Sequence, residues 1–120
     1  MATRNWTIDK ITNKVAVATV SDLLNGDTSN DLKLPMYPNK TFHVFGTFGV
    51  GGNLLVRGRN GGVSPTNLQP LHKLDAPANN LSTVTAETLA SIVEDSLFVV
   101  ANVSAGDGTT SLTVVCMASE

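Results

Sequence analysis

The sequence predicts an all-β domain with one short helix, a small antiparallel β-sandwich or jelly-roll with an extended N-terminal arm. Three observations carry this expectation. Thr41–Val56, TFHVFGTFGVGGNLLV, reads as two apolar strands meeting at glycines. LFVVANVS, AGDGTT and SLTVVCMA repeat that logic near the C-terminus. Short strands punctuated by turn residues, with no long helical period, indicate a sandwich or jelly-roll rather than an α/β fold.

At 120 residues the chain suits a single domain with one core. Residues 1–40 are expected to form the arm and edge strands, and 41–118 the sandwich core. In the arm, Asn5–Asp9 and Ile11–Val20 read as short strands. Val15, Val17 and Thr19 alternate there with small Ala16 and Ala18, a weak period of two. Ser21–Asp31 is dense in Asn, Asp, Ser and Gly and reads as a loop. Pro35 and Pro38 restrict Leu32–Asn39 to an edge strand or extended connector.

Thr41–Phe48 and Asn53–Arg59 are expected to pair as a hairpin through Gly49–Gly52, where glycine permits positive φ. Leu54, Val56 and Gly58 then share one face, and Leu55, Arg57 and Arg59 the other. Asn60-Gly61-Gly62 marks another turn, and Pro65 and Pro70 limit pairing in Ser64–Leu74. Ala86–Asp95 reads as the helix: Thr85 can cap it, Glu87 suits its positive end, and Leu89, Ile92 and Val93 share a face. Phe98–Val103 and Leu112–Met117 form the closing hairpin through Gly106-Asp107-Gly108.

Charged residues make up only 15% of the chain and net charge is −2. Ordinary domains carry about 25% charged residues; two readings stand for the deficit, a surface covered by other copies or by a partner, and the Thr- and Gly-rich composition common in all-β proteins. No basic stripe is present, which argues against nucleic acid. The N-terminus lacks an apolar stretch of signal-peptide length and no run approaches a membrane span, so the expected site of synthesis is a cytoplasm, with no membrane partner. Cys116 lies in the apolar run TVVCM and reads as a buried structural thiol.

Nothing of catalytic type is recognisable, and no catalytic, cofactor-binding or metal-ligating residue is assigned. Gly46–Gly52 lacks the Gly-Lys-Ser/Thr ending and following helix of a phosphate loop. His43 and His72 belong to no ligand-spacing motif. Asp27, Asn30 and Asp31 lack the EF-hand pattern, and Asx-turn chemistry accounts for them. Two readings stand for Arg57 and Arg59: a solvated face, or an interface that uses the bidentate guanidinium. Two also stand for Trp6 and Tyr37, as core residues or as aromatic anchors on an arm.

At Gly46–Asn60, GTFGVGGNLLVRGRN, and Thr85–Thr113, TAETLASIVEDSLFVVANVSAGDGTTSLT, the chain resembles a group of small tailed-phage virion proteins. Gly46-Thr47-Phe48-Gly49, Asn60-Gly61-Gly62 and Gly106-Asp107-Gly108-Thr109-Thr110 carry the resemblance, which spans residues 41–118. The chain departs from that group at Arg59-Asn60-Gly61, where an acidic turn is usual, and at Val99-Val100, where Arg-Pro often stands. The resemblance implies a capsid decoration (cement) protein on the virion surface, bound over joints between major capsid protein subunits. It also implies self-association, as a homotrimer in preference to a dimer. Trp6, Ile8, Leu32, Leu34, Met36, Tyr37, Arg57 and Arg59 are the candidate interface residues, the first six on the arm. The alternative expectation is a β-sandwich binding module recognising host-surface carbohydrate.

Overall fold

Alternating apolar and polar side chains set the architecture. A computed structural model describes residues 2–34, 36–76, 78–81 and 83–120. The strands are β1 (Thr3–Arg4), β2 (Thr7–Lys10), β3 (Val15–Leu24), β4 (Thr28–Ser29), β5 (Asn39–Thr47), β6 (Asn53–Arg59), β7 (Gln69–Pro70), β8 (Thr88–Ser91), β9 (Phe98–Ala105) and β10 (Ser111–Ser119). They form two five-stranded sheets, β1-β4-β9-β6-β7 (the first sheet) and β2-β3-β10-β5-β8 (the second). The all-β sandwich is as the sequence predicts. The core between the sheets takes Leu54, Val56, Val99, Ala101 and Val103 from the first. Ala16, Ala18, Val20, Phe42, Val44, Leu112, Val114 and Cys116 come from the second. Alternation on β6 puts Leu54, Val56 and Gly58 inward, as expected.

Two expected hairpins are instead arches between sheets. β5 pairs antiparallel with β10, from Thr47↔Ser111 to Asn39↔Ser119. β6 pairs with β9, from Asn53↔Ala105 to Arg59↔Phe98. Strands adjacent in sequence therefore face one another across the core, and each pairs with a strand distant in sequence. The physical reason is that β5 and β6 each bury an apolar face, so facing one another encloses both. Five residues between Thr47 and Asn53 suffice to step across the ~10 Å that separates packed sheets.

The two arches are stitched together at one end. Asp107 Oδ2 accepts the Val50 amide at 2.8 Å, and Thr110 Oγ1 donates to the Phe48 carbonyl at 2.7 Å. Asp107 Oδ1 also accepts the Thr109 hydroxyl and amide, at 2.6 and 2.9 Å. The Thr109 hydroxyl, followed by the Val50 and Thr109 amides, holds the Asp107 carboxyl down at about 2.

The expected helix at Ala86–Asp95 is corrected: no helix occurs among the described residues. β8 pairs with β5, from Thr88↔Val44 to Ser91↔Thr41. Ala90 and Ile92 are buried while Leu89 and Val93 are exposed, so the operative period is two. A ten-residue helix is marginal on its own, and the open edge of β5 offers a ladder of backbone partners.

The extended arm is corrected as well. β3 runs beside β10 from Val15↔Ser119 to Leu24↔Ser111, and β1 lies parallel to β4 in the opposite sheet. Trp6, Leu32, Leu34 and Tyr37 belong to the core. Trp6 is fixed further by Asn30, which accepts its indole N–H through the main-chain carbonyl and its amide through Oδ1, both at 3.0 Å. Pro35, part of the expected connector, lies outside the described residues.

Candidate functional site

The outer surfaces of the two sheets differ. On the second sheet, side chains alternating with the core positions fall into cross-strand rows. One row runs Asp9, Val17, Met117, Thr41 and Ser91, and the next Thr7, Thr19, Val115, His43 and Leu89. Phe45 and Thr113 continue the face toward the arches. The first half of β3 thus points Val15 and Val17 outward and Ala16 and Ala18 inward, the reverse of what side-chain size suggests, while Val20 faces the core. Met117 is 51% exposed and Leu89 71%. In these two rows the ionisable positions are Asp9, at the β2 edge, and His43, which meets Glu87 Oε2 at 2.9 Å and lies 4.8 Å from the Phe45 ring. The remaining side chains are Val, Thr, Ser, Met and Leu. Beside Leu89 a shallow groove of about 350 Å³ is lined by Thr41, Leu74, Asp75, Leu89, Ala90 and Ser91.

The first sheet is partly covered. Val100 and Leu68 are buried outside the main core, and Ser64, Pro65 and Leu68 help line a groove of about 680 Å³. Thr3, Thr28, Ser29, Asn30, Asp31 and Asn102 form much of the remainder, with Arg57. The two arginines of β6 therefore differ in role. Arg59 binds Asp31 at 2.7 Å and the Gly62 carbonyl at 3.1 Å, with its guanidinium 4.3 Å from the centre of the Phe98 ring. The Nε of each is solvent-shielded without a hydrogen-bond partner, but Arg57 has no ion pair among the described residues.

Of the other interface candidates, Met36 and Ile8 are exposed, at 71% and 47%. Trp6, Leu32, Leu34 and Tyr37 are buried within this one chain, so the folded monomer does not present them to a partner. Their apolar character reflects core packing, which a sequence cannot separate from interface packing when the strand partner is unknown.

The remaining polar clusters are knitted inward. Asp27 accepts the Ala2 and Leu24 amides, at 2.9 and 3.0 Å, and Arg4 Nε at 3.2 Å. Burial pushes its carboxyl up, but these donors together bring it below the ordinary value. Glu94 grips both the amide and the ring Nδ1 of His72. Burial raises its carboxyl too, and the His72 contacts outweigh that and leave it lowered. This pair lines a cleft of about 380 Å³ with Arg59, Asp95 and Ser96, but Ser96 Oγ donates to the Phe98 carbonyl at 3.1 Å. His43 and His72 are thus held by different carboxylates. Among the described residues no three His, Cys, Asp or Glu side chains are grouped to hold a metal ion. Burial pushes the Cys116 thiol up to about 12, with nearby Lys40 opposing the shift.

Sequence reasoning missed the outer face of the second sheet and the groove at Arg57. A signal for the first was present: Val15, Val17, Val115 and Met117 alternate with residues small enough to lie inside. No protein-family model matches the chain, and no curated protein matches it. In structure the chain is similar to a cupin domain from Bordetella pertussis Tohama I, with a TM-score of 0.56 and 12% sequence identity. That likeness covers 99% of this chain and 95% of that one. At such identity the likeness shows the fold alone: a two-sheet β-sandwich of jelly-roll type.

Proposed function

We propose that this chain is a structural virion component, a capsid decoration (cement) protein that binds over joints between major capsid protein subunits and stabilises the expanded shell. The observation that carries the reading is the bare, nearly uncharged outer face of the second sheet. Five strands spaced ~4.8 Å apart, each contributing about 20 Å, make a face of about 480 Å² in projection. Of its ten row positions Val17, Val115, Met117 and Leu89 are apolar and four more are neutral Thr or Ser, and depletion of charge is what marks the centre of a protein interface. The face falls short of the ~800 Å² per partner typical of a stable pairwise complex. One copy therefore binds weakly, and repeated copies on a lattice, or a homotrimer in preference to a dimer, supply the avidity. Preference for the expanded shell translates directly into stabilisation of that shell.

Co-sedimentation with expanded and unexpanded shells of the virus that encodes the chain tests this. Saturable binding to the expanded form alone is expected, and equal binding to both forms contradicts the linkage. Sedimentation velocity of the isolated protein tests the trimer.

A second reading, recognition of host-surface carbohydrate, draws on the polar groove of the first sheet. Its lining holds no aromatic ring on which a sugar can stack, which ranks it below the first. Binding on a glycan array without binding to shells would reverse the order.

A further inference from the structure

The geometry points to the groove over Arg57 as a binding site for a single carboxylate group, independent of any docking by the opposite sheet. Buried hydrogen-bonding groups are nearly always partnered, and a charged one left idle is costlier than a neutral one. The Nε atoms of Arg57 and Arg59 are both shielded and unpartnered, but Arg59 is matched through its terminal nitrogens by Asp31 and the Gly62 carbonyl, whereas among the described residues Arg57 takes part in no ion pair. Its terminal nitrogens are not among the shielded atoms and have no hydrogen-bond partner among the described residues, and Arg57 is part of the wall of an open groove of about 680 Å³, so a ligand can reach the outer edge of the guanidinium.

Charge selects the ligand class. The acid in the groove, Asp31, is already matched by Arg59 at 2.7 Å, so Arg57 leaves one net positive charge. A monoanion neutralises it, whereas a doubly charged phosphate leaves surplus negative charge beside Asp31. The planar guanidinium presents parallel N–H groups that fit both oxygens of a carboxylate. The hydroxyls of Thr3 and Ser64 and the amides of Asn30 and Asn102 surround it with neutral polar groups. The carboxylate can belong to a small organic acid or to an Asp or Glu side chain of a protein.

The test follows the Arg57 Nε–Hε signal by NMR while the folded protein is titrated with glutarate, acetyl-Gly-Glu-Gly-amide and acetyl-Gly-Gln-Gly-amide. A saturable shift with the carboxylate probes and none with the glutamine peptide is expected. Tighter glutarate binding assigns the site to small acids, and tighter peptide binding to protein side chains. Backbone signals of Thr28 and Asn102 report on variants: Arg57→Gln should abolish binding and Arg57→Lys weaken it about tenfold, since an ammonium lacks the fork. Should Arg57→Gln not fold, Ser64→Glu decides, because this exposed groove residue then offers Arg57 an internal carboxylate and blocks the probes. No shift with either carboxylate, an equal shift with the glutamine peptide, or undiminished binding to folded Arg57→Gln or Ser64→Glu overturns the assignment.

Discussion

Alanine at Gly46 and at Gly51 should have very different costs, and the difference reports on the arch. Gly46 has φ +126° and pairs with Leu112 on β10; a Cβ there would sit 2.4 Å from the Ser111 carbonyl oxygen and 3.2 Å from the Leu112 Cα. Both obstacles are backbone and cannot swing aside. Backbone strain costs about 1–3 kcal/mol. Peeling the strand away to relieve the clash loses one or two ladder hydrogen bonds at about 1 kcal/mol each. The sum is about 2–5 kcal/mol, centred near 3.5. Gly51 also has positive φ, +71°, but nothing lies within 4 Å of its added Cβ. There the left-handed conformation costs about 1 kcal/mol, partly offset by the stiffer unfolded chain. The gap of about 3 kcal/mol is a large part of a typical domain's stability. With a urea slope of about 1.5–2 kcal/mol/M it separates the two midpoints by about 2 M. Fluorescence of the buried Trp6 follows the unfolding. Equal midpoints, or a worse defect at Gly51, would refute the close approach of β5 to β10 and favour a simple hairpin.

Asp107 is held at about 2 against an ordinary 3.8. A depressed carboxylate stabilises the fold above its unfolded value and loses that contribution as pH falls through its folded one. Melting temperature should therefore drop between about pH 4 and pH 2, and Asp107→Asn should flatten that drop; an unchanged profile would count against the stitch. Cys116 is fully buried with its thiol at about 12, so a thiol reagent at pH 8 should modify it only in denaturant, and rapid labelling of the native protein would contradict its place in the core. NMR secondary shifts across residues 88–91 should be those of a strand, and helical shifts would restore the sequence-based expectation.

Alternation was legible and pairing was not. Leu54, Val56 and Gly58 could be assigned to one face because a period of two is local. Which strand lies beside β6 depends on Phe98–Ala105, some forty residues away, and no local signal carries that choice. The turn glycines were equally visible, yet a glycine-rich turn serves a hairpin or an arch alike. Leu89, Ile92 and Val93 match a helical face as well as a strand edge, and the free edge of β5 decided between them. Trp6 and Tyr37 illustrate the limit for the site: both are apolar enough for either core or interface, and burial sent them to the core. Arg57 and Arg59 looked equivalent until Asp31, Gly62 and Phe98 proved to engage only the second.

The claim that the second sheet's outer face is the docking surface is tested most directly at Val115. It lies on β10 between Thr19 and His43, near the centre of the uncharged face. A lysine there can extend its ammonium into water, so the fold should survive, with melting temperature within a few degrees of wild type. Binding of Val115→Lys to expanded shells, measured by co-sedimentation beside the wild-type protein, should fall by more than tenfold, the equivalent of about 1.4 kcal/mol at a single contact and more when multiplied by avidity. Binding by the folded variant equal to that of wild type would contradict the claim.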